Sequence, residues 1–164
     1  MRKISGLLLL LFCIAPLKGQ SPNRTLYSVN GFSFSHFSTD DGLSQGTAQC
    51  IFQDSRGFMW IGTQDGLNRF DGYRFKVYKS DPQNPHSLSA SWIETIAEDR
   101  SGNLWVGTSG GVNRFDPQTE QFARYQHRAD DSLSISSDNI LALCIDSAGE
   151  LWIGTERGLN RFDS

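Results

Sequence analysis

Acidic residues are the side chains of this 164-residue sequence best suited to chemistry. Two carboxylates placed about a glycosidic bond hydrolyse it, one as acid and the other as base or nucleophile. Asp54, Asp99 and Asp146, however, each begin the same four-residue unit, Asp-x-x-Gly. An acid repeated at one turn position is explained by capping. Its carboxylate accepts from the turn's own amides, and Gly takes positive φ where the chain re-enters a strand. The acids therefore argue against an enzyme. His36, His86 and His127 stand at no metal-ligand spacing, and no phosphate-binding glycine loop is present, so neither metal nor cofactor is expected.

The elements that must position these residues come from a repeat. Asp54 to Asp71 returns as Asp99 to Asp116 and as Asp146 to Asp163, with no internal offset changed. Trp60, Trp105 and Trp152 are 45 and then 47 residues apart. Such a period, with tryptophan, glycine turns and short apolar runs, predicts an all-β fold of four-stranded antiparallel β-propeller blades, the first strand of each innermost. A second turn, Thr63 to Gly66, recurs at Thr108 to Gly111 and Thr155 to Gly158. If both turns close four-residue loops, Trp60 faces Arg69 on one side and Ile51 on the other. The same counting puts Trp105 between Arg114 and Ile96, and Trp152 between Arg161 and Leu143. These residues serve blade architecture, because they are the same in every copy. An aromatic-x-x-aromatic outer strand follows at Phe75 to Tyr78 and at Phe122 to Tyr125. Phe34 to Phe37 shares that pattern and is expected to be a stray outer strand.

Residues 1–19 carry a basic start, an apolar core and Gly19, the pattern of an export signal. Residues 20–30 are polar, and 31–164 hold the propeller. Within it the stray strand is expected at 31–38, blade one at 43–79, blade two at 88–126 and an incomplete blade three at 133–164. Removing the signal leaves 12 basic against 18 acidic residues, net −6, which argues against nucleic acid as a partner. Cys50 and Cys144, on the first strands of blades that are not neighbours, are expected beyond the ~7 Å Cα separation a disulfide tolerates. They read as buried small hydrophobes. Aligning Gly42-Leu43-Ser44 with Ser87-Leu88-Ser89 and Ser132-Leu133-Ser134 puts the two extra residues of the third period between Ser134 and Asp146.

The pattern D-x-x-G-x-x-W-[IV]-G-T-x-x-G-[LV]-N-R-F-D, preceded by S-L-S, resembles the two-component regulator propeller repeat, from about Phe32 onward. The Phe37 to Ser44 opening is similar to the start of such sensor regions after their signal peptide. The aspartate box of sialidase-like propellers differs, with Asp and Gly two apart rather than three. The resemblance implies a periplasmic sensor whose longer parent crosses the inner membrane and carries a histidine kinase, often detecting glycan fragments. No phosphotransfer residue falls in this sequence, so catalytic residues are expected to be none. The alternative is a free-standing secreted sugar-binding or protein-interaction module. A reading frame continuing past Ser164 through more repeats to a membrane span separates the two. Expected partners are an oligosaccharide and either further blades or a second copy of the chain.

The strands sum to 12, one stray plus four, four and three. Three blades make an open arc with exposed end faces and an unpaired edge, which drive association or aggregation. A dimer exchanging stray strands would close a six-bladed ring. Trp92 breaks the repeat, its counterparts being Thr47 and Asn139. It stands where a connection reaches the first strand of blade two, at the blade end that often lines a binding face. It is the candidate ligand-binding residue, with packing between blades as the alternative. Arg128, Asp130 and Asp131 read as solvated loop charges.

Overall fold

The structure, a computed structural model, describes residues 27–29 and 31–163. The expected export signal lies outside them. The chain divides into two compact units at His36 and Phe37. In the first, β1 (Tyr27–Val29) and β2 (Phe32–Phe34) form a two-stranded antiparallel hairpin. The second holds three antiparallel sheets in chain order. Blade one is β3 (Ala48–Gln53), β4 (Met59–Thr63), β5 (Gly66–Phe70) and β6 (Phe75–Tyr78). Blade two is β7 (Ile93–Glu98), β8 (Leu104–Thr108), β9 (Gly111–Asp116) and β10 (Gln121–Tyr125). Blade three is β11 (Ile140–Ile145), β12 (Leu151–Thr155) and β13 (Gly158–Phe162), with β13 at the sheet edge. The first strands β3, β7 and β11 neighbour one another in turn, the arrangement of propeller blades about an axis.

The core lies between blades. Trp60, Leu67, Ile93, Leu104, Val106, Phe115 and Phe122 form one cluster across the first junction. Trp105, Val112, Ile140, Leu151 and Ile153 form the second. Close approach there requires glycine in the Trp-[Ile/Val]-Gly-Thr run. A Cβ on Gly62 would lie 2.5 Å from Cys50 Sγ and 2.7 Å from Ile93, and one on Gly107 would lie 2.6 Å from Ile140.

Four expectations change. Trp60 does face Arg69, but on its other side it faces Phe52, not Ile51; Trp105 faces Ala97, and Trp152 faces Cys144. The first turn is the reason. Asp54 and Phe58 close it through Asp54 N–H to Phe58 C=O, and Gly57, at φ +90°, donates to Asp54 C=O. That is a three-residue hairpin loop with a glycine bulge, which shifts the register by one. The second turn closes through Thr63 opposite Gly66, as counted.

The stray strand is the second change. Phe34 ends β2, paired with β1, whereas residues 35–38 form no strand. Phe37 instead packs its ring edge-on against Phe70 and Phe75, at 5.1 and 5.7 Å. The third is the insertion. Ser44, Ser89 and Ser136 each donate their N–H to the Asn 24 residues on. Ser134-Ile135-Ser136 is therefore the true counterpart of Ser87-Leu88-Ser89, which moves the start of blade three. Leu133 is 94% exposed where Leu88 is fully buried. The two extra residues sit earlier, between β9 and β10: Phe115 pairs with Phe122 across residues 116–121, six residues, where its counterpart Phe70 pairs with Phe75 across 71–74, four residues. Cys144 is the fourth: it is exposed, because none of the described residues covers the face of blade three that carries it, while Cys50 is half-buried at the first junction.

Candidate functional site

The repeated polar residues are consumed in holding each blade. Asp54 accepts from the amides of Arg56 and Phe58 through Oδ1, and from the Trp60 indole through Oδ2 at 2.9 Å. Asp99 takes Trp105, and Asp146 takes Trp152, at the same distance. Burial pushes the Asp54 and Asp99 carboxyls up, but the indole and turn donors outweigh it and hold both below the usual range. The Trp152 indole and the turn amides lower Asp146 likewise. At the other blade end, Asn68 accepts from Ser44 N–H and donates to Ser44 Oγ and to the Ile61 carbonyl. Ser44 Oγ in turn meets Thr63 Oγ1 at 2.8 Å. The same Ser-Thr-Asn cluster recurs around Asn113 and Asn160. Among the described residues no buried side-chain polar atom lacks a partner. Such saturated networks rigidify a blade and leave little for a ligand.

Sequence reasoning found the capping role of these aspartates and missed their bond to tryptophan. The signal was present: a fixed offset of six from each Asp to its Trp. It also missed Glu120, at φ +55° in the lengthened turn of blade two. Glu120 reaches blade one, pairing with Arg69 at 3.2 Å and with Lys76, and accepting from the Tyr78 hydroxyl. It pins one blade to the next.

A groove of about 630 Å³ runs beside the edge strand, lined by Tyr125, Leu133, Ile135, Ile153 and Phe162 among others. One junction earlier, Phe122 of the outer strand fills the matching place, 5.8 Å from Tyr78 and 5.1 Å from Phe115. The groove therefore has the shape of an outer strand's seat. Arg128 and Asp130 on the preceding connection form a largely exposed ion pair at 3.8 Å. Among the described residues, no cluster of His, Cys, Asp or Glu could hold a metal ion.

Trp92 differs from all of these. It directly precedes β7, and its carbonyl accepts from Ser109 N–H in the turn between β8 and β9. Asn139 makes the same bond to Glu156 N–H, so the two are structural counterparts. The Trp92 side chain is 42% exposed, at a position where the backbone does the holding.

The two component regulator propeller family matches at residues 42–65, 87–110 and 134–157, the register that the Ser–Asn bonds define. Histidine kinase P4 of Formosa agariphila is 44% identical over 86 residues, 52% of this chain and 6% of that protein. The extracellular domain of the hybrid two component system BT3049 from B. thetaiotaomicron superposes with a TM-score of 0.73 at 27% identity, over 79% of this chain and 18% of that one. That of BT4673, from the same organism, gives 0.62 at 29%, over 80% and 19%. The chain spans less than a fifth of each relative. Among the described residues no helix is long and apolar enough to cross a membrane. This chain is therefore built of two component regulator propeller repeats, folded as successive blades like the extracellular domains of hybrid two-component systems.

Proposed function

We propose that this chain is a section of the extracytoplasmic, ligand-sensing propeller of a hybrid two-component sensor histidine kinase. It is exported to the periplasm by residues 1–19, takes no part in catalysis, and responds to a glycan met at the Trp92 end. The observation that carries this is the exposed indole of Trp92, at a position where the other blades have Thr47 and Asn139. Side chains that hold the blades are the same in every copy and are already bonded. A large aromatic that appears once, half-exposed, offers a flat apolar face to a sugar ring. The extracellular placement of the BT3049 and BT4673 domains supports the same reading.

The test is Trp92→Ala in the full-length sensor, with transcriptional output and thermal stability read together. Loss of response at nearly unchanged stability is expected. A fall of ~3–5 kcal/mol, the cost of removing a buried tryptophan, would make Trp92 a core residue and end its role as platform.

A further inference from the structure

We infer that the Trp92 end of blade two is a subsite for an uncharged, polyhydroxylated sugar ring, with Trp92 as stacking face and Glu94 as hydrogen-bond acceptor; this rests on the glycan-sensing reading above. All three first strands carry a register break at one place, between Ala48 and Cys50, Ile93 and Thr95, and Ile140 and Ala142. The extra residues are Gln49, Glu94 and Leu141. Bulges of this kind aim a side chain away from its ordinary direction and gather near binding sites. In blade two the bulged residue is a carboxylate, two positions after the tryptophan. Ile93 between them is fully buried, whereas Trp92 is exposed and Glu94 half-buried. Blades one and three place Thr47 with Gln49 and Asn139 with Leu141 at these positions, so only blade two joins an aromatic face to a carboxylate.

Glu94 is also free where comparable acids are bound. Asp65 holds Lys79 at 2.7 Å, Asp138 accepts from the His127 amide at 2.6 Å, and Glu156 accepts from Ser137 and Asn139. Glu94 makes no hydrogen bond or ion pair among the described residues, which leaves its oxygens open to sugar hydroxyls. The charge around it selects the ligand class. Asp65, Glu94, Asp138 and Glu156 lie on the turns and strand entries of this blade end, where Lys79 pairs with Asp65 and Arg157 with Glu156. The unpaired charge of Glu94 disfavours uronates and sulfated sugars, whose carboxylates and sulfates would meet it, and leaves neutral hydroxyl donors welcome.

Calorimetric titration of the purified full-length extracytoplasmic region tests this. The probes are maltohexaose, cellohexaose and mannohexaose, set against hexagalacturonate and a heparin hexasaccharide. Binding of a neutral hexasaccharide is expected, weakened about tenfold or more by Trp92→Ala and several-fold by Glu94→Gln, a nearly isosteric change that spares the fold. Binding confined to the acidic probes overturns the neutral subsite while leaving glycan sensing in place. So does neutral binding that both variants leave unchanged. If none of the five probes binds, the inference falls and the glycan-sensing reading loses its support as well.

Discussion

Trp105 and Trp152 occupy the same place in the repeat, each bonded through its indole to the aspartate six residues before it, yet their surroundings differ. Trp105 is 3% exposed, wedged against Tyr125 of its own blade and Phe162 of the next at 5.6 and 5.0 Å. Trp152 is only half-buried, because no described element covers that face of blade three. The local motif builds the strand, the turn and the indole bond in both blades. Burial of the tryptophan comes from the neighbouring blade. In this fold the repeat supplies geometry, and stacking of repeats supplies most of the hydrophobic stabilisation.

The largest effect expected from that difference lies in the tryptophans themselves. Trp105→Ala removes a buried ring from the second junction and should destabilise the propeller by ~3–5 kcal/mol. Trp152→Ala loses the same indole bond but far less buried area, so its cost should be less than half as large. Urea denaturation of the two variants in the segment 31–164 measures both. Equal losses would mean that the aspartate bond, rather than inter-blade burial, carries the tryptophan's contribution.

How far this difference could be read from sequence is uneven. The turns, the strands, the pairing of Trp60 with Arg69 and the order of the blades follow from local spacing, which each copy repeats. The inner register did not follow. Asp-x-x-Gly suits both a four-residue loop and a three-residue loop with a glycine bulge, and only the Asp54–Phe58 closure distinguishes them. The two-residue insertion was misplaced because Ser132-Leu133-Ser134 imitates the motif that begins at Ser134. Hydrogen bonding to Asn160 chooses between them, and the choice depends on contacts 24 residues apart. The hairpin of Phe32–Phe34 shows that an aromatic-x-x-aromatic pattern does not select a sheet partner. Of the candidate site, Trp92 stood out because it departs from the repeat. Glu94 did not, since a bulge in the first strand leaves no mark in the spacing of the turns.

A smaller effect separates two glycines in the same motif. A Cβ on Gly107 would press within 2.6 Å of Ile140 in the next blade, whereas one on Gly154 meets nothing nearer than 3.5 Å. Gly107→Ala should therefore cost ~1–3 kcal/mol through overpacking at the junction. Gly154→Ala should be near neutral in the segment, where that face is open. In a longer propeller with a blade docked on blade three, Gly154→Ala should become as costly as Gly107→Ala. Melting temperatures of the paired variants in both lengths decide whether that docking occurs.

The smallest expected effect is on reactivity rather than stability. Cys50 sits against Gly62 at the first junction, and burial there, reinforced by the charge of Glu94, pushes its thiol up to about 11. A raised thiol pKa keeps the neutral form, so Cys50 should resist alkylation at pH 8.5 and gain reactivity only as pH rises towards that value. Cys144 lies exposed on blade three, opposite Trp152, and is open to reagent. Iodoacetamide at pH 8.5 followed by peptide mass analysis should therefore label Cys144 well before Cys50 in the segment 31–164. If a further blade packs on that face in the full-length protein, Cys144 becomes as slow as Cys50, and the ratio of the two rates reports whether the face is covered. Rapid labelling of Cys144 at both lengths would mean that the face stays open to solvent even when more of the protein is present.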